Sequence, residues 1–251
     1  MIKFFRKIRQ KLLYENKFSK YLIYAIGEII LVVIGILIAL SINTSREKFL
    51  QKKSTQGIFE QIEKDLTSDS LQLAVSINSL ALSNKMIMDI IEGKIHDSIF
   101  YKVDSIEYSK PYMRKMRGLT TSFEKYSPNN KGLNLLKSSN QSNLVYDQMA
   151  NEVIEFYSTM MTKLPEYNQA IVEVAKRNIL QYQEFDWYEN WALQKYDNRF
   201  IEYIRNSPSS RKRLSEYYIY SSVQETYYKS LEEARQQLKS KIIKRNNSNR
   251  N

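Results

Sequence analysis

The sequence predicts an all-α protein: an N-terminal transmembrane helix followed by an elongated extracytoplasmic helical bundle. Three observations carry this reading. Only six Gly and four Pro interrupt 251 residues, too few for the repeated tight turns of a β-sandwich or a many-looped α/β fold. Residues 21–42 hold fourteen Leu, Ile or Val and a single charge. Downstream, apolar residues recur at three-four spacing over long stretches, the mark of helices with one buried face.

Residues 1–20 form a basic amphipathic segment. Phe4, Phe5, Ile8, Leu12 and Leu13 fall near helical spacing, and Lys3, Arg6, Lys7, Arg9 and Lys11 fill much of the remainder. Such a segment can lie against anionic lipid, gaining about 1 kcal/mol per basic residue near the surface. An ordinary topogenic flank is the alternative, and both can hold.

Residues 21–42 are the transmembrane helix. At this length an α-helix extends about 33 Å, matching a hydrocarbon core with modest tilt. The apolar region of a cleaved signal peptide is shorter, and "IALSIN" imitates a cleavage site poorly, so the segment reads as an uncleaved anchor. Seven Lys or Arg lie in the 20 residues before the span, and four (Arg46, Lys48, Lys52, Lys53) in the 20 after it. That imbalance predicts an inner-membrane protein with a cytoplasmic N-terminus and a periplasmic C-terminal domain.

Glu28 is the one charge inside the span. Fourteen aliphatic residues at about −0.3 to −0.6 kcal/mol each outweigh one acid at about +3, so the helix still inserts. Its helix face reads Ala25, Glu28, Val32, Gly35 and Ala39, a three-four rhythm containing a small-xxx-small pair that permits close helix approach. A carboxyl on that face can hydrogen-bond to a partner helix. Two other readings stay open: snorkelling or bonding to Tyr24, and proton or ion handling.

The stretch "KFFRKIRQKLLYENKFSKYLIYAIGEIILVVIGILIALSIN" resembles the N-terminus of a family of uncharacterised single-pass inner-membrane proteins of Bacteroidota. The likeness is specific over residues 3–43 and looser beyond, as in "SSNQSNLVYDQMANEVIEFY". It implies a Gram-negative inner membrane and an extracytoplasmic helical domain, and it implies no activity. The family pattern continues past the span with an interfacial Trp; here "SINTSRE" places Ser45 in that position, so a role resting on the Trp does not carry over.

Residues 43–244 make the extracytoplasmic helical domain. Phe59, Ile62, Leu66, Leu73, Ile77, Leu80, Ile87 and Ile91 form one apolar face of a long helix, or of two in series, with Gly57 a possible joint and Gly93 at the C-cap. Residues 94–140 are irregular. Within them "HDSIFYKVDSIEYSK" suits a short helix, and "SPNNKG" is a turn signal because Pro fixes φ while Asn and Gly accept positive φ. A second long helix starts near Ser142, with Leu144, Met149, Val153, Phe156 or Tyr157 and Met160 on one face. Pro165 is expected to kink or restart it, before Ile171, Val174, Ile179 and Tyr182. Trp187 and Trp191 pack near one end of the bundle, and "FIEYIRN" is a short helix. After "SPSS" the last helix runs from about Arg211 to Lys244, its apolar side marked by Tyr217, Tyr220, Val223, Tyr227, Leu231, Leu238 and Ile242. The polar residues 245–251 read as a disordered tail.

The net charge of +11 does not argue for nucleic acid. Residues 1–20 and the stretch after Glu233 each hold six net positive charges, leaving the folded region near neutral, whereas a nucleic-acid module carries its charge on the domain that grips phosphates. There is no Cys and one His, His96, so thiol chemistry is excluded and zinc lacks its ordinary ligands. No G-x-S-x-G elbow, P-loop or G-x-G-x-x-G cradle is present. Glu60, Glu63 and Asp65, like Glu184, Asp186 and Glu189, have spacings found on any solvated helix face. No catalytic residue, metal or cofactor is therefore expected.

Tyr217, Tyr218, Tyr220, Tyr227 and Tyr228 on the last helix offer a possible aromatic interaction surface. Core-facing rings with exposed hydroxyls, or glycan stacking, explain the same residues. The expected function is non-catalytic: a membrane-anchored helical bundle that docks or assembles with other envelope components. Its expected partners are the bilayer and either a second copy or another membrane protein. The alternative is an extracytoplasmic sensor of a small ligand, which would need a partner protein to signal because no second span follows.

Overall fold

A computed structural model describes residues 18–95, 105–139 and 147–250. The basic segment 1–17, His96, Ser142 and Leu144 lie outside the described residues. Eight helices and no strand occur among the described residues, so the protein is all-α. They are α1 (Phe18–Ile91), α2 (Ser105–Ser109), α3 (Pro111–Arg117), α4 (Lys131–Ser138), α5 (Gln148–Tyr182), α6 (Tyr188–Ala192), α7 (Asn198–Asn206) and α8 (Pro208–Arg250).

The chain divides into two units, one ending at Gly57 and the other starting at Ile58. In the first, α1 is the one helix among the described residues long and apolar enough to cross a membrane. Its most apolar 18-residue window has mean hydropathy 2.8 and none of it is buried, whereas the core helix of a water-soluble domain buries such a window. Gly57, read as a joint, is helical. A helix interior tolerates Gly, so a unit can end there without a break in hydrogen bonding.

In the second unit three long helices enclose the core. Asp147 pairs with Arg245, Glu152 with Lys241 and Arg177 with Glu216, which sets α5 antiparallel to α8. Asn246 donates to Glu63 at 2.7 Å, and Ser221 donates to Asn84, so α1 is antiparallel to α8 as well and parallel to α5. Two apolar clusters fill the space between them. One gathers Phe59, Ile62, Leu66, Val153, Tyr157 and Tyr228; the other gathers Ile87, Met116, Ile171, Tyr182, Phe200 and Tyr217. Tyr182, Trp187 and Trp191 form an edge-on aromatic cluster, a geometry that suits the ring quadrupoles.

Gly93 ends α1 with φ 66°, and Gly93 and Lys94 return their N–H groups to Ile90 and Asp89, the bonding of a glycine C-cap. Pro165 does not break α5, which runs unbroken from Gln148 to Tyr182. Buried Leu164 and Ile171 on either side of it hold the axis against the loss of one hydrogen bond. The stretch 245–250 is likewise no disordered tail: α8 continues to Arg250. Arg245 explains this, because it forks onto Asp147 at 2.8 and 2.6 Å and lies 4.0 Å over the Phe59 ring, while Asn246 is buried.

Asp197 caps α7. It accepts from the Arg199 N–H at 2.9 Å, from the Arg199 guanidinium at 3.1 and 2.7 Å, and from Asn190 at 2.9 Å. The Arg199 side chain foremost, then Asn190 and the backbone N–H, hold its carboxyl down from 3.8 to about 2. A value depressed in the folded state contributes stability above 3.8 that is lost as pH falls towards 2. Asp197→Asn is therefore expected to melt below the parent at pH 7, with the deficit closing between pH 4 and 2 in thermal melts. A deficit independent of pH would show that the ion pair contributes nothing.

Candidate functional site

The densest buried polar chemistry surrounds a segment with no helix of its own. Residues 122–130, between α3 and α4, form a connecting strap without a helix. Four alternate carbonyls, that of Thr120 in the turn before the strap and three within it, accept from helix side chains. Asn178 reaches Thr120 O at 2.9 Å, the Tyr217 hydroxyl reaches Ser122 O, Gln224 reaches Glu124 O at 2.9 Å and Asn168 reaches Tyr126 O at 3.2 Å.

Tyr228 and Asn168 complete the clamp. The Tyr228 hydroxyl donates to Asn168 Oδ1 at 2.6 Å and accepts from the Tyr126 N–H at 3.0 Å and from Gln224 at 3.1 Å. A buried hydroxyl or N–H left without a partner would cost about 1–3 kcal/mol, so these donors fix the strap, while Asn178 Oδ1 and Gln224 Oε1 are buried without a partner.

Two carboxylates on α1, one turn apart, hold the strap's end. Asp69 accepts from the Asn129 N–H at 3.0 Å and the Asn129 amide at 2.7 Å. Asp65 accepts from the Gly132 N–H at 2.7 Å and from Gln61 at 2.8 Å. Burial foremost, then the neighbouring Asp69 charge, pushes the Tyr126 hydroxyl far above its ordinary value, so it remains a donor throughout the physiological range. Burial likewise raises Asp69, against the lowering effect of its hydrogen bonds. This arrangement binds the chain's own backbone.

The face Ala25, Glu28, Val32, Gly35 and Ala39 belongs to the first unit. Val32 is 55% exposed, Gly35 and Ala39 are exposed, and nothing lies within 4 Å of where a Cβ on Gly35 would sit. Ala25 and Glu28 are half-buried.

The tyrosines of α8 do not form one surface. Tyr217 and Tyr228 belong to the core, in keeping with the core-facing alternative, except that both hydroxyls are engaged with the strap. Tyr218 is half-buried and Tyr220 exposed. Tyr227 is half-buried, stacks on Tyr167 at 4.3 Å, and opens onto a groove of about 550 Å³ between α5 and α8 with Phe156, Met160 and Leu238.

Sequence reasoning missed the clamp. Asp65 was read as part of a solvated acidic face, and Asn168, Asn178 and Gln224 carried no motif. The one available signal was "SPNNKG", which marked the turn but not what holds it. Fold and site together define the class: an all-α protein with, among the described residues, one helix long and apolar enough to cross a membrane and a helical domain closed around its own strap. No family model, curated protein or solved structure matches the chain.

Proposed function

We propose that this is a non-catalytic, membrane-anchored helical-bundle protein that docks or assembles with other envelope components, as a homo-oligomer or with another membrane protein. The carrying observation is the face Ala25, Glu28, Val32, Gly35 and Ala39 of α1. It has the small residues that let backbones approach, and none of the apolar window around it is buried in the chain. In lipid, helices associate through such packing and through interhelical hydrogen bonds, so a second chain is the natural occupant. The strap clamp supports the reading too, since the best-built polar groups of the domain are engaged with its own backbone.

In this reading α1 lies in an inner membrane with its N-terminus cytoplasmic and its C-terminal domain periplasmic, on the Lys and Arg imbalance around the span. The resemblance over residues 3–43 supports the same placement. The N-terminal basic residues then face anionic lipid.

Crosslinking in cells, followed by extraction in mild detergent, tests the docking. Glu28→Leu is expected to insert as well as the parent and to associate about fivefold less, the value of an interhelical hydrogen bond near 1 kcal/mol. Undiminished crosslinking would remove Glu28 from the contact. A reporter fused to the C-terminus should be active outside the cytoplasm; activity only inside would reverse the orientation.

A further inference from the structure

A second, smaller cavity borders the turn that precedes the strap. It measures about 390 Å³ and is lined by Arg114, Arg117, Gly118, Thr121, Trp191 and Gln194, at the end of α3 and the turn after α6. Arg117 is 8% exposed, unusual for a guanidinium without a counter-charge. Its charge sits 4.5 Å over the Tyr108 ring, and one terminal nitrogen, Nη1, donates to the Gln194 carbonyl at 3.0 Å. Among the described residues no carboxylate pairs with it.

The surroundings fix this guanidinium rather than neutralise it. Trp191 Nε1 donates to the Arg117 carbonyl at 3.2 Å. Gln194 has φ 58°, the only left-handed non-glycine residue among those described. Strain of that kind persists where surrounding structure enforces it and gathers at ligand sites. Here it holds the Gln194 carbonyl on Nη1. The guanidinium also lies beside the Tyr108 hydroxyl, and its side chain lines the cavity with no carboxylate paired to it among the described residues. Arg114, anchored through Nε to the Ser109 carbonyl at 2.6 Å, adds a second cation on the exposed side.

We propose that this cavity binds a small organic carboxylate. A planar guanidinium such as that of Arg117 presents paired N–H donors that match two carboxylate oxygens. A buried charge without its counter-ion is costly, and a bound carboxylate removes that cost. The cavity has the volume of a ligand site rather than of a bare ion. Trp191, braced by Tyr188 and Tyr182, supplies an apolar wall for a planar body attached to the carboxylate. The site is independent of the membrane-helix face, so it adds ligand binding to docking.

Calorimetric titration of the full-length protein in mild detergent tests this, with sodium benzoate, sodium acetate and inorganic phosphate as probes at matched ionic strength. Benzoate is expected to bind saturably, with acetate about tenfold weaker for want of contact with Trp191. Arg114→Gln, at an exposed position, should leave the unliganded melting temperature unchanged and weaken benzoate about fivefold by removing one cation. Arg117→Lys keeps the charge, loses the two-donor edge and should weaken benzoate at least about tenfold. Absence of saturable benzoate binding, or undiminished affinity in Arg114→Gln, would overturn the site. Phosphate binding tighter than benzoate would overturn the carboxylate assignment.

Discussion

Gly132→Ala is expected to destabilise the helical domain by about 3 kcal/mol or more, the range of severe core overpacking. A Cβ there would lie 2.5 Å from Ile62 Cγ1, 2.7 Å from Ile62 N and 2.8 Å from Ile62 Cα. Two of those atoms are backbone of a helix and cannot rotate away. Relief requires α4 to move off α1, which stretches the 2.7 Å bond from the Gly132 N–H to Asp65 and opens the layer over Leu133 and Leu136. For a domain of this size the melting temperature should fall by roughly 6–12 °C. Gly57→Ala is the control: nothing lies within 4 Å of its Cβ position, so replacing a helical glycine should be neutral or stabilising by up to about 1 kcal/mol. Equal melting temperatures for Gly132→Ala and the parent would refute the close approach of α4 to α1.

Asp69→Ala should cost about 3 kcal/mol, and Asp69→Asn only about 1, because the two changes remove different things. Alanine leaves the Asn129 N–H and the Asn129 amide, which donate at 3.0 and 2.7 Å, without an acceptor in a buried site. Asparagine retains an acceptor oxygen and removes a charge that burial already disfavours. The sign of the pH effect follows. A carboxyl raised in the folded state lends the native protein stability at low pH that is lost as pH rises from 3.8 through the folded value. The gap between parent and Asp69→Asn should therefore narrow as pH rises through that interval, in denaturant titrations of the full chain. An asparagine variant as unstable as the alanine variant would show that the charge itself holds the strap.

Both predictions concern a segment that the sequence marked only as irregular. The apolar face of α1 was legible: Phe59, Ile62, Leu66, Leu73, Leu80 and Ile87 are all buried. On α8 the same reasoning slipped. Tyr220 and Val223 were read onto the apolar side, yet they are 41% and 48% exposed, while Ser221 and Gln224 are buried. The buried face of α8 runs Tyr217, Ser221, Gln224, Tyr228, Leu231, Arg235, Leu238, Ile242 and Asn246, an unbroken three-four rhythm. Its polar members hide it from hydrophobic periodicity. Gln224 is there to bind the Glu124 carbonyl, and Arg235 to bind the Leu66 carbonyl and Glu232. Asn246 is there to bind Glu63.

By itself the sequence determined the helical class, the apolar span with Glu28 on its small-residue face, and the core stripes built from aliphatic residues. Those features depend on composition and spacing along one element, which a linear reading contains. The strap clamp, the division of the α8 tyrosines between core and surface, the ordered end of α8 and the burial of Arg117 beside a cavity were decided only by tertiary structure. A polar side chain reads the same whether it faces water or a buried carbonyl, and its role is set by the group that folding brings opposite it.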